Sequence, residues 1–194
     1  MVEKAEFITG KNKALSSLAK ACENNEVDEA ILPLLRRINK LSSYYTTSSC
    51  YGRIVLLEIP TIGDKKQAVF LGKWHRTIEV DDVLLAAEKA SHGLLWILAQ
   101  SPILHLVTDT VENADTMVKT GLECGFKNSG VRSLRKKIVI ELCSTERLDA
   151  PIGREGKLFC QGEYLDLLVD ISNDVFLKSK EKLSRLIDAI VENY

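Results

Sequence analysis

Four short polar runs stand out against an otherwise apolar-patterned chain: TTSSCYGR at 46–53, KWH at 73–75, ILH at 103–105 and NSGVRS at 128–133. The first is the densest, with two threonines, two serines, a thiol, a glycine and an arginine opening directly into the apolar IVLLEI. Hydroxyls such as Ser48 and Ser49 donate and accept hydrogen bonds, Gly52 permits backbone conformations closed to other residues, and Arg53 presents a planar fork suited to phosphate or carboxylate. The remaining groups each admit two readings. Cys50 is either a small buried side chain or a reactive thiol. His105, between Leu104 and Leu106, is either a satisfied core histidine or a base working near neutral pH. Trp74, beside His75, either packs or offers a stacking surface. Arg132, with Arg135, Lys136 and Lys137, forms either a solvated strand edge or a patch for phosphates.

These runs need elements to hold them. Asn12 is placed to cap a first helix with Ala14, Leu15, Leu18, Ala19 and Cys22 inward, ending at Glu23. A second begins near Leu32 with Pro33 in its first turn, which puts Arg36, Arg37 and Lys40 on the wet side. Strands are expected over 44–50, 54–59 and 67–72, the last two joined through the turn at 62–65, so that KWH returns close to Gly52 and Arg53. Asp81 and Asp82 favour a helix start, with Val83, Leu84, Ala87 and Ala90 facing inward. Residues 94–98 and 103–107 read as buried strands. Asp109 or Thr110 caps a helix through Cys124, stopped by Gly125. IVIEL follows as an alternating strand, 144–159 as a long connection, and the chain from Gly162 as one amphipathic helix or two broken near Asn173. The sum is one α+β domain over 1–194 with a mixed β-sheet, packed helices and no Rossmann arrangement.

Composition narrows the class. At 194 residues, 45% hydrophobic and 27% charged, the chain can bury a sizeable core, and its net charge of -1 leaves nucleic-acid binding to a local patch. The five cysteines, Cys22, Cys50, Cys124, Cys143 and Cys160, are odd in number and contain no CxxC pair, which fits reduced thiols in a cytoplasmic protein without a metal site. No apolar run is long enough to span a bilayer, and the amino terminus lacks the apolar core of a signal peptide.

No glycine-rich dinucleotide loop, P-loop, HExxH or GxSxG occurs. Instead TTSSCYGRI, the PILH ending at His105, GFKNSGV at 125–131 and STERLDAPIGREGKL at 144–158 together resemble the tRNA wybutosine-synthesizing protein 3 family. The resemblance runs in register from AEFITGK at Ala5 to EYLDLLVDISN at Glu163, with the SSC-x-GR hallmark intact. The short connections look more like an archaeal member.

The resemblance implies an S-adenosylmethionine-dependent N4-methyltransferase acting on a 7-aminocarboxypropyl-demethylwyosine-type tricyclic base beside the anticodon of phenylalanine tRNA. It also implies a cytoplasmic location and a fold without the usual methyl-donor loop. Carried onto this chain, it gives His105 and Cys50 as catalytic, and Ser48, Ser49, Gly52, Ser129 and Gly130 as cofactor-binding. Arg53, His75, Asn128 and Arg132 are then substrate-binding. Without the resemblance, a non-catalytic tRNA-binding module and a thiol-dependent enzyme using Cys50 fit the same residues.

Overall fold

The computed structural model describes residues 3–64 and 66–193. Two antiparallel sheets and five helices divide between two compact units. The α+β class without a doubly wound parallel sheet holds, its strands arranged in two sheets rather than one mixed sheet.

The first unit comprises the chain up to Tyr51, Pro102–Thr145 and the end of the chain from Glu181. Its sheet has the order β1 (Tyr44–Cys50), β5 (Ile103–Thr108), β7 (Ile138–Cys143), β6 (Gly130–Leu134). Alternation along β5 and β7 sends Leu104, Leu106, Ile138, Ile140 and Leu142 into a core shared with α2 (Leu32–Lys40), α4 (Val111–Glu123) and the last turns of α5 (Glu163–Asn193). Pro33 sits in the first turn of α2, where its missing N–H costs nothing, and Arg36, Arg37 and Lys40 are exposed. Thr110 caps α4 by accepting from the Asn113 N–H at 3.1 Å. Gly125, at φ 95, ends it in a Schellman motif, with Phe126 N–H reaching Gly121 C=O at 2.8 Å and Gly125 N–H reaching Leu122 C=O at 3.0 Å.

The first helix differs from expectation. α1 runs Lys4–Glu23, so Asn12 lies in its middle and Ala19 is exposed. The extra turns are held from outside. Phe7 is buried against Tyr45, ring centroids 5.2 Å apart, so that the start of α1 covers one end of the sheet's second face. Tertiary packing, not an internal cap, sets the start.

The second unit, Gly52–Ser101 and Glu146–Lys180, carries the order β3 (Val69–Trp74), β2 (Arg53–Ile59), β4 (Leu94–Gln100), β8 (Arg147–Arg154), β9 (Lys157–Leu158). The expected β2–β3 hairpin is present, with Ile54 opposite Trp74. Of the turn expected at 62–65, Lys65 lies outside the described residues. The segment 144–159, expected as a connection, instead supplies β8 and β9, which meet through a two-residue turn with Glu155 at φ 50 and Gly156 at φ 69. Positive φ at both positions is what a type I′ hairpin requires. Glu155 is a residue strained there, and Gly93 holds it: Glu155 N–H reaches Gly93 C=O at 2.8 Å, and Gly93 N–H reaches Glu155 Oε1 at 3.2 Å.

α3 (Val80–Ala87) buries Val83 and Ala86, whereas Leu84 is exposed. Arg76 and the backbone N–H of Glu79 bond Asp82, and the Arg76 bond leads in drawing its carboxyl down from 3.8 to about 2. A carboxyl depressed in the folded chain contributes stability above its ordinary pKa and loses it as pH falls through the folded value. Stability of wild type and Asp82→Asn is therefore expected to differ at pH 5 and to converge between about pH 4 and 2 in denaturant titrations. A constant gap down to pH 2 would contradict this.

α5 is one continuous helix through Asn173. The asparagine serves instead as a clamp, accepting from Ile78 N–H at 2.8 Å and donating to Ile78 C=O at 2.9 Å. No helix among the described residues is long and apolar enough to cross a membrane.

Candidate functional site

In β5 Leu104 and Leu106 enter the main core, so strand alternation turns His105 to the opposite face of the first unit's sheet, where Val107 is buried with Phe7 and Tyr45. The core reading of this histidine is thereby replaced: its side chain is 31% exposed. Register aligns it with Glu141 on β7, and Glu141 in turn with Gly130 on β6.

Side chains connect across this face. Ser48 Oγ lies 2.8 Å from His105 Nδ1, and His105 Nε2 lies 2.7 Å from Glu141 Oε2. Arg132 Nε donates to Glu141 Oε1 at 3.0 Å, and a second guanidinium nitrogen bonds the same oxygen. The row Ser48–His105–Glu141–Arg132 thus spans all four strands. Arg132, first, and His105 hold the Glu141 carboxyl below the usual carboxylate range, so it is ionised at neutral pH. Glu141 was absent from the sequence expectation. Only the β5–β7 register places it against His105, and single-strand periodicity carries no register.

The hydroxyl run is held irregularly. The β1–β5 ladder breaks between Thr46 and Ser49. Asn39 of α2 takes the edge there, accepting from Thr46 N–H at 2.8 Å and donating to Thr46 Oγ1 at 2.9 Å. Beside the break, Ser17, Leu18 and Ala21 of α1 with Val27 and Leu35 line a half-open cavity of 290 Å³ together with Thr46, Thr47, Ser48 and Ser49. Ser49 Oγ is buried and has no hydrogen-bond partner among the described residues. A buried orphan hydroxyl is costly and uncommon, and a polar ligand in the cavity would satisfy it. Cys50, half-buried, ends the strand opposite Ile103.

The NSG turn has structural duties. Asn128 N–H reaches Cys143 C=O at 2.9 Å, while Ser129 Oγ donates to Phe126 C=O at 2.5 Å and accepts from Cys143 N–H at 3.1 Å. A Cβ built on Gly130 would meet nothing within 4 Å, which leaves room at the β6 end of the row. Arg135, Lys136 and Lys137 are exposed on the β6–β7 hairpin.

Arg53, Gly52 and His75 belong to the second unit. Gly52 has φ 87, a conformation few other residues adopt. Arg53 Nε donates to Gln100 Oε1 at 3.2 Å, and its guanidinium sits 5.6 Å from the Phe70 ring centroid. His75 follows Trp74, whose indole lies so closely over Gly72 that a Cβ there would come within 2.1 Å of it. Of the aromatic rings that could stack on a base, Tyr45 is buried and Trp74 is half-buried.

With this geometry in place, comparison with known proteins is decisive. Residues 9–192 match the family described as Methyltransferase TYW3. The chain belongs to that family. Among the relatives of this TYW3 chain is a Pyrococcus horikoshii protein named tRNA(Phe) 7-((3-amino-3-carboxypropyl)-4-demethylwyosine(37)-N(4))-methyltransferase 1, 47% identical over 93% of this chain and 92% of its own. A Methanocaldococcus jannaschii protein named as the same methyltransferase is 35% identical over 96% of this chain and 97% of its own. A solved Pyrococcus horikoshii structure superimposes with a TM-score of 0.94 at 46% identity, covering 98% of both chains.

The row places an imidazole, which can accept a proton, on rigid strands, and hydroxyl groups line the pocket beside it. Among the described residues no group of three His, Cys, Asp or Glu side chains is gathered for a metal.

Proposed function

We propose that this protein transfers a methyl group from S-adenosylmethionine to the N4 position of a demethylwyosine-type base next to the anticodon of phenylalanine tRNA. Family membership and the activity named for relatives at 47% identity support the reaction. The observation that carries the site is the Ser48–His105–Glu141 row on an accessible sheet face.

Transfer to a ring nitrogen is an in-line displacement, so alignment of the partners supplies much of the rate, on the order of 7 kcal/mol or more in favourable cases. The sulfonium donor supplies an activated methyl group. The cavity beside Ser48 and Ser49 fits its polar portion, since Ser49 Oγ needs a partner and Thr47 and Ser48 offer more hydroxyls. Space at Gly130 lets the base lie against the row. His105 takes up the proton released at nitrogen. Cys50 is not needed as a nucleophile, because no covalent intermediate forms. Arg135, Lys136 and Lys137 meet phosphates, and in the second unit Arg53 and His75 add polar contacts to RNA. Arg132 acts on the site through Glu141, and Ser129 through the turn that starts β6.

Incubation with labelled S-adenosylmethionine and hypomodified phenylalanine tRNA is expected to put one label per tRNA in the anticodon loop, read after nuclease digestion. Tight tRNA binding with no incorporation would instead favour a non-catalytic binding module.

A further inference from the structure

We infer that Glu141, clamped by Arg132, fixes the tautomer of His105 so that Ser48 becomes the atom through which the proton leaves the acceptor base. The inference rests on the methyl-transfer reading of this site.

What each group can donate fixes the direction of every bond in the row. An ionised carboxylate only accepts. Both Glu141 oxygens are engaged, Oε1 by two Arg132 nitrogens and Oε2 by His105 Nε2 at 2.7 Å. Nε2 must therefore carry the hydrogen. In a neutral imidazole the other nitrogen is then bare, so the 2.8 Å contact at Nδ1 is a bond that Ser48 O–H donates. Ser48 is exposed, and its oxygen keeps lone pairs free to accept from outside. Among the described residues the charged groups bonded into the row at the ring are Glu141 from β7 and, through it, Arg132 from β6, while β1 brings the Ser48 hydroxyl to Nδ1 and the Thr47 hydroxyl donates to the His105 backbone C=O at 3.3 Å.

In the transfer step the acceptor nitrogen forms its bond to the methyl carbon as the carbon–sulfur bond breaks and its electron pair returns to sulfur, leaving a neutral thioether. The nitrogen's proton passes to Ser48 Oγ, and the hydroxyl's own proton passes to His105 Nδ1. The resulting imidazolium faces the Glu141 carboxylate, so the positive charge arises beside a fixed negative one. Ser48 and His105 are the catalytic residues in this scheme, and Glu141 and Arg132 are positioning residues.

Glu141→Gln gives an opposed outcome. Arg132 presents only donors, so the new amide turns its oxygen to Arg132 and its NH2 to His105. Nε2 must then accept, the hydrogen moves to Nδ1, and Ser48 can no longer pass its proton on. Long-range proton–nitrogen correlation spectra of the full chain at alkaline pH are expected to show His105 with hydrogen on Nε2 in wild type and on Nδ1 in Glu141→Gln. The signal is assigned among three histidines by its loss in His105→Gln. With hypomodified tRNA, Glu141→Gln is expected to lower kcat about 100-fold, at the lower end of what positioned proton transfer contributes, with KM for tRNA within about twofold. Glu141→Gln/Arg132→Ala, in which the amide is free to turn back, is expected to restore the Nε2 hydrogen.

Wild-type His105 with its hydrogen on Nδ1 would overturn the inference, as would an active wild type whose Glu141→Gln variant keeps kcat within twofold. An inactive wild type showing the Nε2 tautomer would remove the methyl-transfer reading while leaving the hydrogen-bond assignment intact.

Discussion

His105→Ala is expected to lower kcat for methyl transfer about 1000-fold, within the range of roughly 10²–10⁴ that a positioned proton acceptor contributes. The same change is expected to move the thermal midpoint little. The imidazole is 31% exposed on the outer face, so removing it opens no core cavity. Water can replace its bond to Ser48, and Glu141 retains both bonds from Arg132. Loss of rate without loss of fold is thus the signature of a reacting group. Added imidazole should recover part of the rate by occupying the vacated space. Wild-type kcat in His105→Ala would mean that the nitrogen's proton leaves by another route and that the row is architectural.

Phe126→Ala is expected to act in the opposite sense, on the fold before the chemistry. Phe126 is fully buried in the core built from Leu104, Leu106, Ile140, Leu142 and Met117. Truncating such a ring costs about 3–5 kcal/mol, from lost burial and the cavity left behind. Domain stabilities are typically about 5–15 kcal/mol, so much of the margin would go. Its backbone also closes the Schellman motif of α4 and accepts from Ser129 Oγ, which ties the packing of this ring to the NSG turn and the start of β6. Denaturant titration should show a midpoint shift with little change in slope, and activity at low temperature should survive in the folded fraction. A cost below about 1 kcal/mol would mean that the core collapses to fill the space.

Much of the architecture was legible in the sequence because its signals are local. Pro33 marked the first turn of α2, Thr110 and Gly125 bracketed α4, and alternation in IVIEL gave β7. The polar run at 46–53 was recognisable because hydroxyls and a glycine entering an apolar strand have no packing purpose. What escaped depended on distant partners. The early start of α1 rests on Phe7 meeting Tyr45. The β8–β9 hairpin turns on Glu155, a residue that turn statistics disfavour at positive φ and that Gly93 holds there. Residues 94–98 and 103–107 look alike as apolar runs, yet they enter different sheets, and burial alternates only along the first. Whether the last helix runs unbroken past Asn173 stayed open in the sequence, because the bonds of that asparagine to Ile78 join residues 95 positions apart. Family resemblance pointed to His105, but its partner Glu141 came only from the register of β5 with β7.

The irregular β1–β5 pairing between Thr46 and Ser49, with Asn39 bonded to Thr46 beside it, also bears on solubility. An unpaired sheet margin invites a second molecule to continue the ladder into a fibril. Here a side chain from α2 already occupies the first rung, and the irregular rungs beyond it cannot template a straight neighbour. The irregularity beside Ser48 therefore also discourages self-assembly along that margin.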